Sequence, residues 1–149
     1  MYQGKITGNT GSISNTVNFV IGAESDGDNK FTKYIDEMVI WKDRELNAAD
    51  AAMLYSAGNG KFYGTQALYQ NAGQIQGLQN YFRLEDNTDS FGSYTLSTAT
   101  DISYAAGKHN NAADFNGSSS YMQGGAFNFP AAGSISIWIK QDSTAASRQ

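Results

Sequence analysis

The sequence contains no cysteine, which excludes disulfides, thiolate metal centres and a cysteine nucleophile. A single histidine, His109, leaves no room for a multi-histidine zinc site, and a histidine-dependent triad would have to use this one residue. Proline is nearly absent, with Pro130 alone. Charge is scarce: 16% of residues are charged, and ten basic against fourteen acidic side chains leave a formal −4 and a pI of about 4.7. That sign is wrong for a protein tracking nucleic-acid phosphates and for a polybasic membrane-surface protein, so neither nucleic acid nor membrane insertion is expected. No apolar run nears the roughly 18 residues of a membrane span, and the opening residues MYQGKITGNTG carry no signal-peptide core. The expectation is an acidic, soluble chain of single-domain size. At 149 residues folding buries roughly 68–70% of the extended-chain surface, enough for a core without staples.

What is present points to β-structure. Aromatics make up 13%, there are 16 glycines, and Ser, Thr, Asn and Gly fill the stretches between short aromatic or β-branched runs. Strand-like segments lie at 16–21 (TVNFVI), 34–41 (YIDEMVIW), 80–84 (NYFRL), 93–97, 112–116, 120–123 and 134–140 (SISIWIK). Strict alternation along 34–41 puts Tyr34, Asp36, Met38 and Ile40 on one face and Ile35, Glu37, Val39 and Trp41 on the other. In 134–140 it separates Ile135, Ile137 and Ile139 from Ser134, Ser136, Trp138 and Lys140. The period changes in LNAADAAMLYSAGNG: Asn47 as N-cap, Asp50 in the first turn and Gly58 at C′ predict one short helix over 48–57. Roughly eight strands and one helix suit a two-sheet jelly-roll sandwich.

Two segments carry a family resemblance. FTKYIDEMVIWKDRELNAADAAMLYSAGNG, with VNFVIGAESDG before it, resembles the C-terminal signature of laminin-G-like (concanavalin A-like lectin/glucanase) domains, an I-D-E-x-x-I-[WY] strand followed by a short helix ending in L-Y. NYFRLEDNTDSFGSYTLS, then AAGKHNNAADFNGSSSYMQ and FPAAGSISIWIK, resembles the opening strands of the same family. The order is inverted. Residues 1–62 resemble the C-terminal half, 63–78 read as a linker, and 79–149 resemble the N-terminal half, with the middle strands missing. Three arrangements accommodate this: a slice through a tandem array, a shortened circularly permuted sandwich, or halves completed by a neighbouring chain. The last would leave sticky strand edges and self-association.

The resemblance implies a structural calcium ion, with Asp36 from the I-D-E strand and Asp89 from the DNTDSFGS turn as ligands. Calcium takes six to eight oxygens, many of them from backbone and water. The alternative is that both carboxylates accept backbone N–H bonds, since a buried carboxylate needs either a cation or several donors. The fold also hosts glucanases, but a retaining site needs two carboxylates on one surface about 5–5.5 Å apart. On a regular strand Asp36 and Glu37 face opposite ways, so hydrolysis is not expected. Tyr63, Tyr69, Tyr104 and Phe127, in Gly/Asn-rich stretches, are the candidates for stacking on sugar rings. Trp41 and Trp138 suit core positions, His109 a surface turn and Ser118–Ser120 a solvated turn. The expected function is therefore non-catalytic recognition of carbohydrate or a glycosylated surface, with calcium in a structural role. The rival is a structural or assembly module of a virion or bacterial surface array. Both suit an extracellular or virion-surface location.

Overall fold

A computed structural model describes residues 17–24, 29–60, 76–129 and 131–141. Among them, eight strands and one short helix follow in the order β1 (Asn18–Ile21), β2 (Thr32–Lys42), α1 (Ala48–Tyr55), β3 (Leu78–Phe82), β4 (Thr98–Thr100), β5 (Ser103–Ala106), β6 (Asn111–Asn116), β7 (Tyr121–Ala126) and β8 (Gly133–Gln141). The strands form two antiparallel sheets. One has three strands in the order β1-β7-β4; the other has five, β3-β2-β6-β5 with β8 also on β2. This is an all-β domain of the β-sandwich type. Strands from both halves of the sequence pair with one another: β1 with β7, and β2 with β3, β6 and β8.

The long strand β2 organises the larger sheet. Its 32–35 stretch pairs with β6 and its 38–41 stretch with β3, while β8 pairs along most of its length. Because a strand has two edges, β8 holds one edge alone and β3 and β6 divide the other. Between the sheets, Phe19 and Ile21 meet Ile35, Met38, Ile40, Phe82, Leu84, Leu96, Ala113, Phe115, Met122 and Phe127 in the main core. Gly22 turns the chain out of β1 with φ +87°, and a Cβ there would overlap the Phe115 ring. A smaller cluster of Val39, Trp41, Leu78 and Tyr81 lies on the outer face of the five-stranded sheet, under Leu46, Leu54 and Phe91.

The face assignment expected for β2 is corrected by a bulge. Glu37 has φ +52°, and the pairing with β8 shifts register between Asp36 and Val39. One extra residue swaps the alternation. Ile35 therefore joins Met38 and Ile40 in the main core, while Val39 and Trp41 lie on the same outer side as Asp36. A left-handed φ at a non-glycine residue costs about 1–2 kcal/mol, and the Tyr81 hydroxyl, donating to Glu37 Oε2, holds the side chain there.

The helix forms at the expected N-terminus. Asn47 Oδ1 accepts from the N–H groups of Ala49 and Asp50 at 2.8 and 3.0 Å, and Asp50 Oδ2 accepts from Asn47 N–H at 3.0 Å, a reciprocal capping box. Arg44 adds an ion pair to Asp50 at 2.7 Å. The α-helix ends two residues earlier than expected: Ser56 already has left-handed φ/ψ, and a 3-10 turn covers Ser56–Gly58. Ser134 of β8 fixes this segment to the sheet, accepting from Leu46 N–H and donating to the Arg44 carbonyl, both at 3.0 Å.

The alternation of β8 is as read, but its apolar side is not covered. Ile135 and Ile139 sit opposite Ile40 and Ile35 and thus on the core side of the sheet, yet Ile135, Ile137 and Ile139 are 51%, 40% and 59% exposed. The three-stranded sheet does not extend over β8, and among the described residues no strand occupies its second edge.

Candidate functional site

On the outer face of the five-stranded sheet, a cavity of about 190 Å³ is lined by Tyr34, Asp36, Ala106, Gly107, Lys108, Ala112, Trp138, Ile139 and Lys140. Pairing between β2 and β8 builds its floor. Asp36 lies directly opposite Trp138, and Tyr34 opposite Lys140, so four side chains project to one side from two adjacent strands. The turn between β5 and β6 supplies Gly107 and Lys108.

Asp36 is 3% exposed. Its Oδ2 accepts from the backbone N–H groups of Lys108 at 2.5 Å and His109 at 3.3 Å. Burial pushes the carboxyl up from its ordinary value, against the backbone N–H groups of Lys108, His109 and Glu37, which favour the charged form. Its second oxygen, Oδ1, has no hydrogen-bond partner among the described residues. Glycine at 107 is required by this contact: a Cβ there would lie 2.5 Å from Asp36 Oδ2 and 2.8 Å from Ala112 N. The cavity rim is cationic. Lys108 Nζ sits 4.9 Å from the Trp138 ring centre, and Lys140 and Lys33 lie 5.6 and 5.8 Å from that of Tyr34. Trp138 also stacks on Tyr55 at 5.9 Å with an 18° interplanar angle, which ties the end of α1 to the cavity wall.

Beside the cavity on the same outer face, Glu37 is 2% exposed and points to the side of Tyr81, Val39 and Trp41. Burial first, and the neighbouring Asp36 charge second, push its carboxyl up to about 9, with Arg83 opposing. The bulge overturns the expectation that Asp36 and Glu37 face opposite ways. Even so, only Asp36 of the two lines the cavity.

The other expected site residues fare differently. Asp89 is consumed by its own turn: Oδ1 accepts from the N–H groups of Tyr81, Phe91 and Gly92 at 3.0, 3.0 and 2.8 Å, and Oδ2 from Asn80 Nδ2 at 2.5 Å. Asn80 pairs with Ile40, four residues along β2 from Asp36, so the two carboxylates share no donor and organise separate points of the sheet. Four N–H groups aimed at one carboxylate, and lysines around the other, do not fit a calcium ion, which needs converging oxygens. Among the described residues, no group of three or more His, Asp or Glu side chains could hold a metal.

Phe127, expected at a sugar surface, is a core residue: it is 4% exposed and packs on Phe19, Tyr94 and Phe129 at 5.0, 4.9 and 4.7 Å between ring centres. It borders a second hollow of about 240 Å³ with Val17, Asn18, Phe19, Val20, Ala23 and Phe129, where Asn18 is the only polar side chain among the described residues. Tyr104 is on strand β5 rather than in a loop, opposite Ala113, in the row of Ile35 and therefore away from the cavity face. Tyr63 and Tyr69 lie outside the described residues.

Trp138, expected in the core, is half-buried and forms a cavity wall; Trp41 is buried as expected. Tyr34, Lys108 and Lys140 were not singled out by the sequence reading. A usable signal was present in SISIWIK, where Trp138 and Lys140 share the polar side of an otherwise isoleucine-lined strand. Comparison with family models, with curated proteins and with solved structures finds no match to this chain.

Proposed function

We propose that this chain is a non-catalytic carbohydrate-recognition module, a laminin-G-like jelly-roll sandwich in permuted order, acting at an extracellular or virion surface. The observation that carries the reading is the cavity on the β2–β8 face. Its aromatic walls Tyr34 and Trp138 suit the apolar side of a pyranose ring, and Oδ1 of buried Asp36, without a partner among the described residues, suits a ring hydroxyl. A buried acceptor without a donor costs about 1–3 kcal/mol, which a bound hydroxyl recovers. Pairing of strands from both sequence halves supports a permuted sandwich over a slice through an array.

Among the described residues one carboxylate lines the cavity, which supports binding over hydrolysis, because acid/base cleavage of a glycosidic bond uses a pair. The test is a glycan array probed with the full chain and with Trp138→Ala, each first shown to melt cooperatively. Glycans bound by the wild type and lost in the variant support the module. A folded wild type that binds none, or a variant that binds as well, overturns it.

A second reading, assembly of copies of this chain, is favoured by one observation: the exposed Ile135, Ile137 and Ile139 beside an edge of β8 that no strand pairs among the described residues. Antiparallel β8–β8 pairing would abut the two isoleucine rows and close both edges. Sedimentation equilibrium decides it. A dimer converted to monomer by Ile137→Lys supports assembly, and a monomeric wild type removes it.

A further inference from the structure

We infer that the cavity on the β2–β8 face selects an anionic saccharide unit, with Lys108 and Lys140 meeting its carboxylate or sulfate while Asp36 Oδ1 accepts a ring hydroxyl. This rests on the carbohydrate reading above and specifies its ligand class.

The protein is acidic overall, with seven lysines, yet Lys108 and Lys140 line this one cavity, and Lys33 lies against the same Tyr34 ring as Lys140. None of the three has an ion pair among those found in the described residues, which join Arg44 to Asp50 and Arg83 to Glu85. Instead their ammonium groups sit over aromatic rings, Lys108 on Trp138 and Lys140 and Lys33 on Tyr34. An ammonium held against a ring face is positioned without being neutralised, so it keeps its charge for a ligand.

The floor supplies the complementary requirement. Asp36, 3% exposed, turns one oxygen to the N–H groups of Lys108 and His109, and Oδ1, without a partner among the described residues, remains as an acceptor. An inorganic anion without a proton, such as sulfate or chloride, has nothing to give that oxygen and would be repelled by it. A neutral sugar could donate to it but would leave the lysines unused. A ligand carrying both a hydroxyl donor and a negative group, on one ring, satisfies the whole lining. The volume, about 190 Å³, is below the roughly 300–1,000 Å³ of drug-sized sites. It therefore takes one ring of a chain rather than a long segment.

The test uses the full chain and three probes that differ in one group: methyl glucoside, methyl glucuronide and methyl glucoside 6-sulfate, with acetate as the anion control. Binding is followed by NMR titration of the Trp138 indole N–H and the Lys108 and His109 amides. The expected result is at least tenfold tighter binding of one or both anionic sugars than of methyl glucoside. Lys108→Ala/Lys140→Ala should lose at least tenfold for the anionic sugar, Lys108→Arg should retain it, and Asp36→Asn should weaken every sugar alike. Methyl glucoside bound as tightly as its anionic counterparts, with the lysine variant unaffected, overturns the inference and leaves the carbohydrate reading standing. Acetate bound as tightly as the glucuronide overturns it as well. Shifts from no sugar at any of the three reporters overturn both.

Discussion

Replacing Glu37 by Gln isolates the cost of burying a carboxyl at the β2 bulge. Glu37 ionises near 4.5 when unfolded and is pushed up to about 9 in the fold, by burial and then by the Asp36 charge. A folded state that holds its proton more tightly loses stability as pH rises from the unfolded value towards the folded one, here from about 4.5 to about 9. The full loss is on the order of 6 kcal/mol, of which ~3 kcal/mol falls between pH 5 and pH 7. For a chain of this length, that second figure corresponds to about 6–12 °C in Tm. Gln resembles the protonated acid and can still accept from the Tyr81 hydroxyl, so Glu37→Gln should match the wild type near pH 5. Its advantage should then grow with every pH step to 9. Urea unfolding of both proteins at pH 5, 6, 7, 8 and 9 measures the difference directly, and the raised Asp36 carboxyl, acting in the same sense, is present in both. A stability difference that does not change with pH would mean that Glu37 titrates alike in both states and that its burial carries no such cost.

Gly107→Ala should destabilise by about 2–4 kcal/mol in urea unfolding, because the new Cβ meets both Asp36 Oδ2 and Ala112 N; it should also weaken sugar binding by displacing the cavity floor. Asp89→Ala removes the acceptor for three backbone N–H groups and Asn80, and should cost about 2–4 kcal/mol without changing glycan binding. Millimolar calcium should leave the wild-type Tm where a chelator puts it; a calcium-dependent rise that Asp36→Ala abolishes would reinstate the ion. Asn47→Ala should cost about 1 kcal/mol through loss of the capping box, read as a lower urea midpoint at unchanged slope.

Local chemistry was legible in the sequence. The helix start is written in Asn47 and Asp50, three residues apart, and the capping box is there. The strands at 34–41 and 134–140 are present with slightly wider limits, Thr32–Lys42 and Gly133–Gln141. The segment at 93–97 instead contributes a single bridge, Thr88 to Thr95, and β4 begins at Thr98, while β5, Ser103–Ala106, carries no alternation that would announce it. What escaped were features set by distant partners. Nothing in YIDEMVIW announces a bulge, because Glu37 takes its left-handed conformation among the buried Tyr81 and Asp36, and that one residue moves Asp36 to the face of Trp41. Alternation gives β8 an apolar side, yet it cannot say that the opposing sheet stops short of Ile135, Ile137 and Ile139. Phe127 reads as a loop aromatic until Phe19, Tyr94 and Phe129 surround it. For the site, Asp36 was legible from its burial cost and from the I-D-E resemblance, as a metal ligand; its aromatic and cationic company arrives only when β8 and the β5–β6 turn pair into the same sheet.

The most direct test of the central claim is to titrate the strongest glycan-array ligand into the full chain and map backbone amide shifts. Saturable shifts are expected at the Lys108 and His109 amides, which donate to Asp36, and at the Trp138 indole. Shifts confined to the hollow beside Phe19, Phe127 and Phe129, or to the β8 edge, would contradict it.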